Sequence, residues 1–277
     1  MSSPLVAALR RCLPGPDAAD AAHAPAFGQA AALLLGEATL VIGGAPHRLT
    51  EVEFYWTSPV HPDPFTHGDP LQERFGRWYL HRQGASYRGG TYKGLDVAIG
   101  AVGRPGGVLI RGVADDAGAR RIEGPSAVVD YILARTGAAS VAALAAAVEG
   151  SIEERGSPLA LVPAGEGASE RPIVASPRVG LTLRRGADPL RCRYLGRPYR
   201  FLVEPERVTK GRVQLFIGLY REGRDAAGIA AITGASGGAV ARAIAGFEAG
   251  RGRDPAGYRG ELGARGLAEA LGAVAEG

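Results

Sequence analysis

The chain has no asparagine, and of its 32 basic residues only Lys93 and Lys210 are lysines. The first absence excludes any chemistry that needs an Asn side chain. The second leaves two candidates for an amine nucleophile, because arginine stays protonated and forms no Schiff base. Two cysteines, Cys12 and Cys192, are too few for a disulfide framework or a cysteine-built zinc site, which fits a reducing cytoplasm. The longest apolar runs, at 30–35 and 141–148, fall far short of the ~20 residues of a membrane span. Arg10 and Arg11 follow the first apolar run rather than precede it, so the N-terminus reads as non-secretory. These absences predict a cytoplasmic protein with no membrane partner.

What is present is 277 residues, enough for one large domain with an appendage, and 46% hydrophobic content to fill its core. Residues 1–27 read as a short helix and a loose arm. Strands are predicted at 39–42, 48–56, 97–99, 107–113, 179–183 and 199–203, from apolar runs bounded by Gly and Pro. The four prolines between 59 and 70 exclude ladder pairing there. Pro125 after Gly124 opens a helix, and a second Ala-rich helix is expected at 138–149. From about residue 211 the chain turns to Ala- and Gly-rich helices, giving a division at 1–27, 28–210 and 211–277.

Charge is unevenly distributed. Residues 178–259 carry 16 basic and 7 acidic side chains, while the chain as a whole is only +4. Between 74 and 95, Arg74, Arg77, Arg82, Arg88 and Lys93 alternate with Phe75, Trp78, Tyr79, Tyr87 and Tyr92, with no acid among them. Cations neutralise phosphates and rings stack on bases, so this interleaving suits nucleic acid; it equally suits a half-buried sheet with a solvated Arg face.

Four groupings could carry chemistry. Glu51 and Glu53 sit at strand spacing, so both point to one face, and a carboxylate among Phe54, Tyr55 and Trp56 suits a general base. His61, Asp63 and His67 offer metal-ligand types, although the intervening prolines give them no regular ligand spacing. Gly234-Ala235-Ser236-Gly237-Gly238 spells a nucleophile elbow, but that motif needs a strand before it and Ala226 to Ile232 reads as helix. The same stretch better fits a helix-turn-helix, with Gly234 at the turn and Ser236 capping the second helix, whose cation is Arg242.

Taken in order, five segments resemble the alkyladenine (3-methyladenine) DNA glycosylase family. They are Glu51-Val52-Glu53-Phe54-Tyr55, Val108-Leu109-Ile110-Arg111, Gly124-Pro125-Ser126, Ser176-Pro177-Arg178-Val179-Gly180 and Pro198-Tyr199-Arg200-Phe201. The resemblance implies a mixed α/β (α+β) fold, a curved antiparallel sheet flanked by helices, here with a helical C-terminal extension. It implies a nucleoid-associated monomer that binds double-stranded DNA, uses no cofactor or metal, and flips out and excises a modified purine. By the same resemblance Glu53 activates water and Arg111 holds the flipped nucleotide. Tyr55, His67 and Tyr87 form the base pocket, and Tyr92 fills the vacated stack. Lys93, Arg88, Arg178, Arg200 and Arg242 are the expected DNA contacts.

The chain departs from the family where base specificity is set. Gly89 replaces a pocket tyrosine, with Tyr87 as a substitute, Gly100 falls at a pocket asparagine, and Asp96 stands where the family is aromatic or His. A non-catalytic DNA-binding protein built on the same fold is the alternative reading.

Overall fold

The computed structural model describes residues 4–15, 18–115, 118–165 and 171–275. The chain forms two compact units, Met1–Pro62 with Thr66–Arg171, and Asp63–Phe65 with Pro172–Gly277. Residues 172–210 thus cluster with the C-terminal helices.

The first unit is an antiparallel sheet with helices. It contains α1 (Pro4–Cys12), α2 (His23–Gly36), β1 (Ala38–Ile42), β2 (Ala45–Trp56), β3 (Trp78–Leu80), β4 (Arg82–Gln83), β5 (Ser86–Tyr87), β6 (Leu95–Ala98) and β7 (Gly106–Asp115). After these come β8 (Arg121–Glu123), α3 (Pro125–Thr136), α4 (Val141–Ala147) and β9 (Leu159–Pro163). The strand order is β9–β1–β2–β7–β6–β3, open rather than closed, with β8 also paired to β7 and β4–β5 forming a separate ribbon. The short helix expected near the start is α1, which buries Leu5 and Leu9, while residues 23–27 of the expected loose arm form the first turn of α2.

The β1–β2 hairpin turns on Gly43 and Gly44, both at positive φ (56° and 82°), as a two-residue turn compatible with strand twist requires. Strand alternation then sorts β2. Val52, Phe54 and Trp56 point to one side, where Phe54 stacks on Phe27 of α2 at 4.8 Å. Glu51, Glu53 and Tyr55 point to the other.

The second unit is mainly helical. The antiparallel strands β10 (Val174–Ser176) and β11 (Arg200–Leu202) accompany α5 (Pro189–Leu195), α6 (Arg212–Arg221), α7 (Ala226–Thr233), α8 (Gly237–Gly250) and α9 (Ala264–Ala273). Its core is Leu195, Leu202, Leu215, Ile217, Ile229, Val240, Phe247 and Leu271. Helices α8 and α9 meet backbone to backbone: a Cβ on Gly250 would lie 1.9 Å from the Glu269 carbonyl oxygen, and one on Gly272 equally close to that of Phe247. The Ala and Gly richness of this region is therefore a packing requirement as well as a matter of composition.

The protein is thus mixed α/β, with nine α-helices and an antiparallel sheet among the described residues. No single described helix is long and apolar enough to cross a membrane.

Candidate active site

The site begins with an irregularity in the β2–β7 ladder. Register shifts separate the Leu49–Val113, Glu51–Gly112 and Val52–Ile110 pairs, leaving Thr50 and Arg111 without a partner across the ladder. Arg111, two residues along β7 from the Leu109 that opposes Glu53, lies on the acidic face of β2, where its Nε is 2.7 Å from Glu51 Oε1 and 3.3 Å from Glu53 Oε1. The Tyr55 hydroxyl donates to Glu53 Oε2 at 2.8 Å. Gly112 makes the close approach possible, since a Cβ there would fall 2.5 Å from the Thr50 hydroxyl. All three charged groups are buried, Glu53 completely. Burial alone works to lower the Arg111 pKa, but the charges of Glu53 and Glu51 outweigh it and hold the guanidinium above its usual value.

A second polar group shares this face. In register, Glu53 pairs with Leu109, Leu109 with Asp96 and Asp96 with Tyr79, so these four form one row across the sheet. Directly opposed residues point the same way, and two strand spacings separate Glu53 from Asp96 by about 10 Å. Asp96 is buried, lies 2.7 Å from His81 Nε2, and accepts from Gln72 Nε2 at 3.0 Å. Gly107, opposite Tyr55, leaves the room these groups occupy: a Cβ there would be 2.4 Å from Asp96 Oδ2.

His67 completes this group. Its ring lies 4.2 Å from that of His81, and its Nδ1 lies 3.2 Å from the Tyr79 hydroxyl. Protein around the imidazole strips away water, and the charge of His81 adds to that, so the pKa falls to about 4. His67 is therefore neutral at pH 7 and can both donate and accept one hydrogen bond. Tyr79 donates to Asp69, which in turn receives both Nε and one terminal nitrogen of Arg82.

The exposed aromatic lies at the start of α3. Tyr92 is 74% exposed on a single 3-10 turn, Gly90–Tyr92. The turn is braced on both sides, by Ser126 Oγ donating to the Gly90 carbonyl at 2.8 Å and by Lys93 paired with Asp130 of α3. The N–H of Gly124, just before α3, donates to the Arg111 carbonyl at 2.7 Å. A short run of hydrogen bonds and chain thus ties the displayed tyrosine to the bulge that carries Arg111.

The remaining candidates are half-buried, buried or exposed. Tyr87 pairs with Arg82 across the β4–β5 ribbon, and Arg88 Nε donates to the Arg82 carbonyl at 3.2 Å. The ring brought against His67 is that of His81. Arg178 and Arg200 need correction as DNA contacts, because both side chains are fully buried. Arg178 makes a two-pronged pair with Asp63 (2.6 and 3.2 Å), and Arg200 donates to the carbonyls of Gly211 and Lys210 (2.9 and 3.0 Å). Arg242 is exposed on α8.

The expected metal-ligand types are engaged elsewhere. Asp63 is committed to Arg178, while His61 Nδ1 bonds Asp20 at 2.6 Å and its ring stacks on His23 at 3.9 Å. No group of three or more metal-ligating side chains forms among the described residues. Ser236 is a helix cap rather than a nucleophile: its Oγ accepts from the Ala239 N–H at the start of α8, after a turn on left-handed Gly234.

Sequence reasoning missed His81 and Gln72, and took Asp96 as a departure rather than a participant. The available signal was Asp96 itself, a lone acid in the apolar run Leu95-Asp96-Val97-Ala98-Ile99. A charge there needs partners, because an unpaired buried charge is too costly to keep.

No family model matches this chain. It is similar to a protein named Uncharacterized protein L759 from Acanthamoeba polyphaga mimivirus, with 33% identity over 121 residues. The match takes in 39% of this chain and spans 56% of the viral protein's length.

Proposed function

We propose that this chain is a DNA glycosylase similar to the alkyladenine family, excising a modified purine by attack of a Glu53-activated water. The observation that carries the reading is the buried constellation of Glu53, Tyr55, Arg111 and Glu51 at the β-bulge. Glu53 is wholly buried yet held by two donors on its two oxygens, Tyr55 and Arg111. Two carboxylates share one guanidinium, so the formal charge of the trio is −1.

That charge suits the chemistry. Breaking an N-glycosidic bond leaves positive charge on the sugar, which a fixed carboxylate stabilises while it takes a proton from the attacking water. Tyr55 presents its ring from the same strand face and orients Glu53 through its hydroxyl. His67, neutral and beside His81, supplies hydrogen bonds to a flipped nucleotide without adding charge. Tyr92 has the exposure and bracing expected of a side chain that replaces an extruded base. Extrusion costs a few kcal/mol and least at damaged or mispaired bases, which favours lesions before any bond is broken.

The alternative, a non-catalytic DNA-binding protein, draws support from the turn on Gly234 and the capped α8. Its second helix, however, exposes mainly Gly and Ala beside Arg242. The test is release of free base from duplexes carrying hypoxanthine, 3-methyladenine or 7-methylguanine. Base release that disappears in Glu53→Gln supports the glycosylase. DNA binding with no release from any of these, by wild type and variant alike, favours the alternative.

A further inference from the structure

A cavity of about 630 Å³ opens among α6, α8 and α9, within the second unit and lined, apart from Arg242, by residues the glycosylase reading does not use. Its walls are apolar: Val213, Phe216, Ala239, Ala243 and Gly246. Three arginines, Arg212, Arg242 and Arg265, also line it. We infer that this cleft binds a small amphiphilic carboxylate, its apolar body against Phe216 and its carboxylate between Arg212 and Arg242.

Size, lining and charge agree on that class. The volume falls within the range of small-molecule sites, which are mostly apolar with a few placed polar groups. Arg212 is fixed in advance: its terminal nitrogens donate to the carbonyls of Val208 (3.0 Å) and Thr233 (3.3 Å), and its guanidinium sits 5.5 Å from the Phe216 ring centre. Those partners are neutral, and Arg212 has no acid partner among the described residues. Arg242 has no acid partner among the described residues, whereas Arg265 is matched by Glu269 at 2.8 Å. Two arginines therefore hold uncompensated positive charge beside an apolar wall.

An anion alone would gain little from that wall, and a hydrocarbon alone would leave the guanidiniums unmatched. A nucleic-acid backbone would call for cations spread along a ridge rather than around an apolar hollow. A carboxylate joined to an apolar body satisfies both parts, and a two-pronged guanidinium contact is the strong form of such a pair.

Isothermal titration of the full chain with decanoate, decanol and decyltrimethylammonium tests the inference. Decanoate is expected to bind one to one, with decanol weaker by about tenfold or more and the cation not binding. Arg242→Gln should weaken decanoate by about tenfold, and Ala239→Phe, which fills the cleft, should abolish binding. Arg242 is exposed and without an acid partner, so its variant keeps the fold, and thermal melts verify both proteins. Lack of saturable decanoate binding, equal affinity for decanol, or undiminished binding by Ala239→Phe overturns the inference. Base-release activity has no bearing on any of these outcomes.

Discussion

Two buried arginines, one in each unit, have opposite surroundings. Arg178 is matched one to one by Asp63, a two-pronged pair supported by the Tyr194 carbonyl at 3.3 Å and lying near the rings of Phe65 and Tyr199. Arg111 faces two carboxylates through one edge of its guanidinium, and one of those carboxylates also takes the Tyr55 hydroxyl. The Arg178–Asp63 pair is neutral. The second keeps a formal negative charge at a bulge, on a sheet face shared with His81 and Asp96. Both sites are buried, so it is the count and geometry of partners that separates them. Surplus like charge in a buried site lowers stability and is kept where it serves chemistry.

The sharpest way to break that comparison is to neutralise one acid in each cluster. Glu53→Gln is expected to lower base release by about 10²–10⁴-fold, the range for loss of a general base, with unfolding midpoints unchanged or raised. Asp63→Ala should instead cost about 3–5 kcal/mol of stability in denaturant melts, because it strands the buried Arg178 charge. If Asp63→Ala proved neutral and Glu53→Gln unfolded the chain, the assignment of roles would be reversed.

Smaller effects sharpen the description of the active face. Gly107→Ala places a methyl against Asp96 and should cost about 1–3 kcal/mol by overpacking, measured by the same melts. The depressed pKa of His67 predicts a pH dependence. The unfolded imidazole protonates near its ordinary value of 6.5 and the folded one only near 4. The unfolded state therefore binds more protons across that window, so stability should fall as pH drops from about 6.5 to about 4. His67→Gln should flatten that slope; an unchanged slope would move its origin elsewhere. Smallest of all, Tyr92→Ala should alter stability by no more than about 0.5 kcal/mol, since the ring is exposed, while reducing base release.

Much of this face was legible in the sequence. Alternation on β2 is enough to set Glu51, Glu53 and Tyr55 on one side and Val52, Phe54 and Trp56 on the other. Gly124-Pro125 marks the start of α3 because Pro is already shaped for a first helical turn. Gly234 and Ser236 mark the turn between α7 and α8 for equally local reasons, a left-handed residue and a side-chain cap. Half-buried arginines and fully buried ones, by contrast, look alike in a sequence. Arg178 and Arg200 sit in motifs as basic as that of Arg88, and only their partners, Asp63 and the carbonyls of Lys210 and Gly211, reveal them as internal.

The sequence by itself determined the local features: the strand alternation, the caps, the glycine turns, the absence of Asn and the scarcity of Lys. Each depends on one residue or on neighbours a few positions apart. Tertiary structure alone decided that β7 pairs with β2 in the register that sets Arg111 against Glu51 and Glu53, and that Asp96 gathers His81 and Gln72 in the room left by Gly107. Those outcomes depend on register between strands distant in sequence, where a shift of one residue moves a side chain to the opposite face.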